Sequence, residues 1–203
     1  MLLLLIRHAE TDAVGVRLAG RAPGHNLNAA GRSAAERLGT ALSPLPLAAV
    51  YASPRERAQQ TAAAVALAHR LTVHTLEAID ELDFGEWTER SFAELEDDPS
   101  WHRWNASRGT ARIPGGETML EVQQRVVNAL ERVAAAHAGE TIAAVSHADV
   151  IRAALTLWLG IPLDELLQVE VAPASVHAVR FEGEARRVLP VSSPHPRETP
   201  ARP

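Results

Sequence analysis

The chain has no cysteine among its 203 residues. That absence excludes disulfides, thiolate zinc sites and a cysteine nucleophile. It also lacks an excess of positive charge: the formal net charge is -5 and the sequence pI is near 6.0. A nucleic-acid surface would want a basic stripe, so no nucleic-acid partner is expected. No stretch is long and apolar enough to span a bilayer. The apolar start, Leu2-Leu3-Leu4-Leu5-Ile6, has neither a basic n-region nor a cleavage site, so it is read as a strand and not a signal peptide. The expectation is a cytoplasmic protein with no membrane partner. Internal repeats are missing, and so is any His-x-x-x-His spacing that would suggest a metal-dependent hydrolase. No metal or other cofactor is expected.

What is present is ordinary globular composition, 46% hydrophobic and 22% charged, in a length that makes one domain the default. One domain is expected over residues 1–191, followed by a Pro-rich tail over 192–203.

Apolar runs at Leu2–Ile6, Leu47–Ala52, Leu71–Leu76, Thr141–Ser146, Ser175–Phe181 and Arg187–Val191 read as strands. Helices are predicted between them. Asn28 caps one over Ala29–Leu42, with Ala34, Leu38, Ala41 and Leu42 on the inner face. Ser53 and Pro54 read as cap and first residue of a second, carrying Arg55 and Arg57. Thr118 and Glu121 form a capping box for a third that runs to about His137, burying Val122, Val126, Leu130 and Val133. A fourth covers Asp149–Leu159, with Ile151, Leu155, Trp158 and Leu159 inward, closed by Gly160 and Pro162. The segment from Phe92 to Arg112 carries Trp101 and Trp104 among charges without a readable period. Alternating strands and helices predict an α/β fold, a largely parallel sheet with helices on both faces.

Two strands end alike. Leu2–Ile6 ends in Arg7-His8, and Thr141–Val145 ends in Ser146-His147. Parallel strands bring both histidines to the carboxyl edge of the sheet, where ligands sit in open α/β sheets. Arg57, early in the helix after the second strand, falls at the same edge; Arg55 is its local rival. Two guanidiniums, two imidazoles and a helix N-terminus suit a phosphate dianion. His8 is then the nucleophile, with Arg7, Arg57 and His147 on the equatorial oxygens. A carboxyl group must protonate the leaving alkoxide and then activate water. Glu81 is the choice, with Asp80 and Asp83 as rivals. Arg21 is a further substrate-binding candidate at the entrance, with His25; a solvated loop residue is the plainer reading of each. Trp101 and Trp104 are read as packing, with a substrate lid as the other possibility.

The chain resembles the histidine phosphatase superfamily, which is phosphoglycerate mutase-like. The resemblance rests on Leu5-Ile6-Arg7-His8-Ala9-Glu10-Thr11, Leu27-Asn28-Ala29-Ala30-Gly31-Arg32, Ser53-Pro54-Arg55-Glu56-Arg57-Ala58-Gln59-Gln60-Thr61, Asp80-Glu81-Leu82-Asp83-Phe84-Gly85-Glu86-Trp87, Pro114-Gly115-Gly116-Glu117-Thr118 and Val145-Ser146-His147-Ala148, in that order. It implies a three-layer α/β/α sandwich around a mostly parallel mixed sheet with one antiparallel strand. It implies His8 as the phosphorylated residue, Arg7, Arg57 and His147 as the phosphate pocket, Glu81 as acid/base, and no metal. Two departures stand out: Ala9 where the family has Gly, and Val14 where many members carry Asn. A methyl at Ala9 is expected to restrict the backbone and crowd the phosphate. The implied function is a phosphomonoesterase acting on a small phosphorylated metabolite through a phosphohistidine. The alternatives are mutase-type phosphoryl transfer and a phosphate-binding module with little turnover.

Overall fold

The computed structural model describes residues 1–190. The tail expected over 192–203 lies outside the described residues.

The strands are β1 (Leu2–Arg7), β2 (Leu47–Ala52), β3 (Val73–Thr75), β4 (Thr141–Ser146), β5 (Val176–Glu182) and β6 (Ala185–Val188). The helices are α1 (Ala29–Leu42), α2 (Glu56–His69), α3 (Phe92–Leu95), α4 (Pro99–Ala106), α5 (Met119–Ala136) and α6 (Ala148–Leu159). They form one six-stranded sheet in the order β3-β2-β4-β1-β5-β6. The pairs β1–β4, β2–β4 and β2–β3 are parallel, whereas β5 is antiparallel to both β1 and β6. Only β5 therefore runs against the rest, as the family resemblance implied.

The unbroken apolar run of β1 follows from its place in the middle of the sheet. Successive side chains point to opposite faces, and both faces are covered. Leu3 and Leu5 pack with Val122, Val126, Ile151 and Leu155 of α5 and α6. Leu4 and Ile6 pack with Leu38, Leu42, Ala62 and Val65 of α1 and α2. The strand β4 divides in the same way, Ile142 and Ala144 to one side and Ala143 and Val145 to the other. The three layers are thus already written in the alternation.

Several predicted details shift. The inner face of α1 is Gly31, Ala35, Leu38, Gly39 and Leu42, so Ala41 is exposed and Ala34 only half-buried. Gly31 sets that rotation: a Cβ there would stand 2.1 Å from the carbonyl oxygen of Glu10. The glycine lets the helix lie directly against the backbone that follows β1, where Asn28 N–H donates to the same carbonyl at 3.1 Å. Ser53 does not cap α2, whose N-cap is Arg55, because its hydroxyl is engaged elsewhere. The third strand shrinks to Val73–Thr75, an edge strand paired only with Val50–Ala52. In α6, Ile151 and Leu155 are buried, but Leu159, in the last turn, is 46% exposed. Trp158 is half-buried against Phe181. The last strand starts two residues earlier than predicted, because Gly183, at φ 57°, turns the chain straight back onto β5. Its predicted end, Val191, lies outside the described residues.

The capping box of α5 forms as predicted, with Thr118 accepting from Glu121 N–H and Glu121 reaching back to Thr118 N–H. Val122, Val126 and Leu130 are buried on its inner face, and Val133 is partly buried. The unassigned segment folds into the short helices α3 and α4. They close over Trp87, whose ring centroid lies 5.3 Å from Trp101 and 5.7 Å from Trp104. Arg108 covers Trp104 at 4.0 Å. Trp101 and Trp104 are packing residues, and neither lines the cavity beside His8. Among the described residues, no helix is long and apolar enough to cross a membrane.

Candidate active site

Register places the two strand-end histidines together. Arg7 pairs with Ser146 in the β1–β4 ladder, so the next residue on each strand is a histidine. The two rings sit with centroids 5.3 Å apart. Beside them opens a cavity of about 190 Å³, lined among others by Arg7, His8, Arg57, Glu81, Asp149 and Arg152. Its apolar walls include Val14, Leu18, Phe84 and Phe92.

His8 is 4% exposed. Its Nδ1 lies 2.7 Å from the carbonyl oxygen of Ala9. A carbonyl can only accept, so Nδ1 carries the proton and Nε2 keeps the lone pair. Burial lowers the His8 pKa to about 3, helped by Arg57 and Arg7, against the opposing bond to Ala9 O. The ring is therefore neutral at any pH near 7.

Each arginine is anchored through one nitrogen and leaves another uncommitted. Arg7 NH1 donates to Val171 O at 2.8 Å, and Arg57 NH2 to Gly20 O at 2.8 Å. Arg7 Nε and Arg57 NH1 have no hydrogen-bond partner among the described residues. Burial lowers both guanidiniums, with Glu81 the chief opposing charge. Both still carry their charge near pH 7.

Glu81 stands at the meeting point. Its Oε1 accepts Leu82 N–H at 2.9 Å. Its Oε2 lies 3.6 Å from Arg57 NH2 and 3.3 Å from His147 Nδ1. Burial raises its pKa to about 7, with Asp149 adding and Arg57, Leu82 N–H and Arg7 opposing. A carboxyl group titrating there can both give and take a proton at neutral pH.

His147 is fully buried and does not itself line the cavity. It is the N-cap of α6, so it reaches the site from the start of that helix. Glu81 Oε2 stands in front of its Nδ1, and Ser53 Oγ lies 2.7 Å from its Nε2. Burial, then Arg57 and His8, hold its pKa well below the ordinary value.

Of the residues singled out in the sequence, Arg7, His8, Arg57, His147 and Glu81 are brought together. The rival carboxylates face away: Asp80 points to Ser53 and Arg55, and Asp83 accepts Gly85 N–H. Arg55 is not solvated; its Nε lies 2.9 Å from Asp80 Oδ1. Arg21, expected at the entrance, is turned behind the Glu81 loop instead. It donates to Glu81 O and to Glu117 Oε2, both at 2.8 Å, and does not line the cavity. Acceptors on the loop draw its guanidinium inward. His25 pairs with Glu89, and the side chain of Glu10 is exposed. Ala9 does not crowd the site. Its methyl packs with Leu27 and Ala35, and it is not among the residues with positive φ. Its N–H donates to Thr61 Oγ1 at 3.0 Å. Val14 forms part of the apolar wall.

Sequence reading missed Arg125, whose guanidinium donates to the carbonyls of Ala78, Asp80 and Glu81 while pairing with Glu117. Its position beside Val122 and Val126 on the inner edge of α5 was the available signal. Arg17, Phe92, Asp149 and Arg152 of the cavity wall carried none. Among the described residues, no three His, Asp or Glu side chains group so as to hold a metal ion.

The sequence profile of the histidine phosphatase superfamily (branch 1) matches residues 3–193. Phosphoserine phosphatase 1 of Hydrogenobacter thermophilus is 32% identical over 192 residues, 92% of this chain and 89% of that protein. Adenosylcobalamin/alpha-ribazole phosphatase of Escherichia coli is 31% identical over 174 residues, 84% of this chain and 85% of that one. The solved structure of Bacillus stearothermophilus YhfR superposes with a TM-score of 0.85 at 31% identity, covering 92% of this chain and 94% of that one. With the two strand-end histidines side by side and the profile matched over nearly the whole length, the chain belongs to the histidine phosphatase superfamily.

Proposed function

We propose that the protein hydrolyses small phosphate monoesters through a phosphohistidine at His8, without a metal ion. The observation that carries this reading is the bond from His8 Nδ1 to Ala9 O, which leaves a bare Nε2 on a neutral ring beside two partly uncommitted guanidiniums. Nε2 attacks phosphorus, and the ester P–O bond breaks as the N–P bond forms. Arg7 and Arg57 hold the charge of the equatorial oxygens. Glu81, protonated, passes its proton to the departing oxygen. Its carboxylate then takes a proton from water, whose oxygen attacks phosphorus and releases His8 and inorganic phosphate. Glu81 Oε2 occupies the point between Arg57 NH2 and His147 Nδ1 that a phosphoryl oxygen would take. Entry of substrate moves that carboxyl toward the leaving group and opens His147 to the phosphate.

The place of the Ala9 methyl removes the main ground for a module with little turnover. Relatives named as phosphatases support hydrolysis over mutase transfer. Their names make phosphoserine and α-ribazole phosphate the first substrates to try, with a screen of small phosphorylated metabolites behind them. The test is hydrolysis of an aryl phosphate with and without EDTA, followed by alkaline quenching during turnover. Chelator-resistant activity and an alkali-stable, acid-labile phosphoryl label on the protein are expected. Activity lost to EDTA would replace this mechanism with a metal-assisted one.

Glu81→Gln is expected to slow alkyl phosphates by about 10²-fold or more, and aryl phosphates much less, because phenolates leave without a proton. For an alkyl substrate, kcat/KM of the wild type should fall as pH rises through about 7, where Glu81 loses its proton. That limb should vanish in Glu81→Gln. Equal slowing of both ester types would move the acid role to another group.

A further inference from the structure

We propose that Ser53 and Asp80 form a buried relay that holds His147 as its Nε2–H tautomer, so that Nδ1 takes a proton from solvent when a phosphoryl oxygen replaces Glu81 Oε2 in front of it. The proposal rests on the phosphoryl-site reading above and adds two positioning residues that do not line the cavity.

Ser53 is fully buried just after β2, and its N–H is fixed on Val145 O at 3.0 Å. Its hydroxyl has three neighbours: His147 Nε2 at 2.7 Å, Asp80 Oδ1 at 3.1 Å and Arg55 N–H at 3.3 Å. A hydroxyl has one proton to give. A carboxylate is a stronger acceptor than an imidazole lone pair, so that proton goes to Asp80. Asp80 is 7% exposed and is itself held by Arg55 Nε at 2.9 Å and Glu81 N–H at 2.8 Å. The lone pairs of Ser53 then remain for Arg55 N–H and for a proton on His147 Nε2. His147 Nδ1 is left bare, without a hydrogen-bond partner among the described residues.

A bare nitrogen repels a phosphoryl dianion, whereas an imidazolium donates to it through Nδ1 while keeping its bond to Ser53. Arg57 and Arg55 of the α2 region, His8 after β1 and Arg125 on α5 oppose that charge, as does burial. Asp80, through Ser53, favours it, and the incoming dianion that takes the place of Glu81 Oε2 supplies the rest. The ring is therefore neutral in the free protein and charged in the phosphate complex. Asp80 balances the new charge through one hydroxyl without touching the ligand.

The test is ¹⁵N NMR of the histidine-labelled full chain near neutral pH, with and without inorganic phosphate, using His147→Asn to assign the signal. The expected free state has Nε2 protonated and Nδ1 bare; the expected phosphate complex has both protonated. In Ser53→Ala the Nε2–H preference should disappear and phosphate should bind about tenfold more weakly, the loss of one hydrogen bond to a charged group. Ser53→Thr should restore both. A proton on Nδ1 in the free protein, or a still-bare Nδ1 in the phosphate complex, overturns the relay and leaves the phosphoryl site standing. Phosphate that perturbs neither His8 nor His147 overturns the phosphoryl site and the relay with it. The wild-type spectra decide these points even if Ser53→Ala fails to fold.

Discussion

His8→Ala is expected to lower turnover of an aryl phosphate by at least ~10⁴-fold, on the scale seen when a covalent nucleophile is removed. The loss falls on kcat. Arg7 NH1 and Arg57 NH2 are fixed on the backbone carbonyls of Val171 and Gly20, not on His8, so the charge that binds phosphate survives the substitution. Inorganic phosphate should therefore still compete at a similar concentration, and the phosphoryl label on the protein should be absent. The hydrogen bond that the substitution removes is local, to Ala9 O, and ties no distant segment. A thermal melt close to wild type would show that the fold is intact. Residual activity within tenfold of wild type would assign the nucleophile to another side chain.

Arg57→Ala is expected to lower kcat/KM by about 10²–10³-fold, the range for losing one preorganised charge at a transition state. Arg55→Ala, two positions away, should lose far less. The two differ in what they face. Arg57 is 2% exposed, lines the cavity and lies 3.6 Å from Glu81 Oε2. Arg55 spends its charge on Asp80 and its NH1 on Arg21 O. A second signature separates a direct role from a structural one. Arg57 lowers the pKa of both Glu81 and His8, so its removal should raise both. The alkaline limb of an alkyl-phosphate profile should then move upward in Arg57→Ala and stay in place in Arg55→Ala. Equal losses in both variants would mean that the phosphate is held by a different guanidinium.

Much of the site was legible because its residues sit at the ends of strongly patterned elements. Arg7 and His8 close an unbroken apolar strand, and Ser146 and His147 close another. Once both strands are parallel and adjacent, their next residues must meet. Arg57 follows from the helix that returns after β2. Glu81 was a choice among three neighbouring carboxylates, and the chain pattern did not separate them. What separates them is the Arg125 guanidinium, which holds the carbonyls of Ala78, Asp80 and Glu81 and so fixes which side chain turns toward the cavity. Arg21 was misplaced for the same reason: nothing local announces that its acceptors are Glu81 O and Glu117, 60 and 96 residues further along the chain. Ser53 looked like a helix cap because Ser-Pro opens helices. In the fold, its hydroxyl lies between Asp80 and His147, and neither is near it in sequence.

The sequence by itself determined the strands of the sheet, the four long helices that cover it, the three layers and the edge of the sheet at which the histidines lie. Period, capping and strand-end residues are local properties, and local energetics set them. Only the tertiary structure decided where the Ala9 methyl goes, which way α1 turns, which nitrogen of His8 is bare and what stands behind His147. Those outcomes depend on close approaches between segments far apart in the chain, such as Gly31 against Glu10 O and Ser53 against Asp80. There, steric exclusion and the pairing of buried polar atoms override local preference.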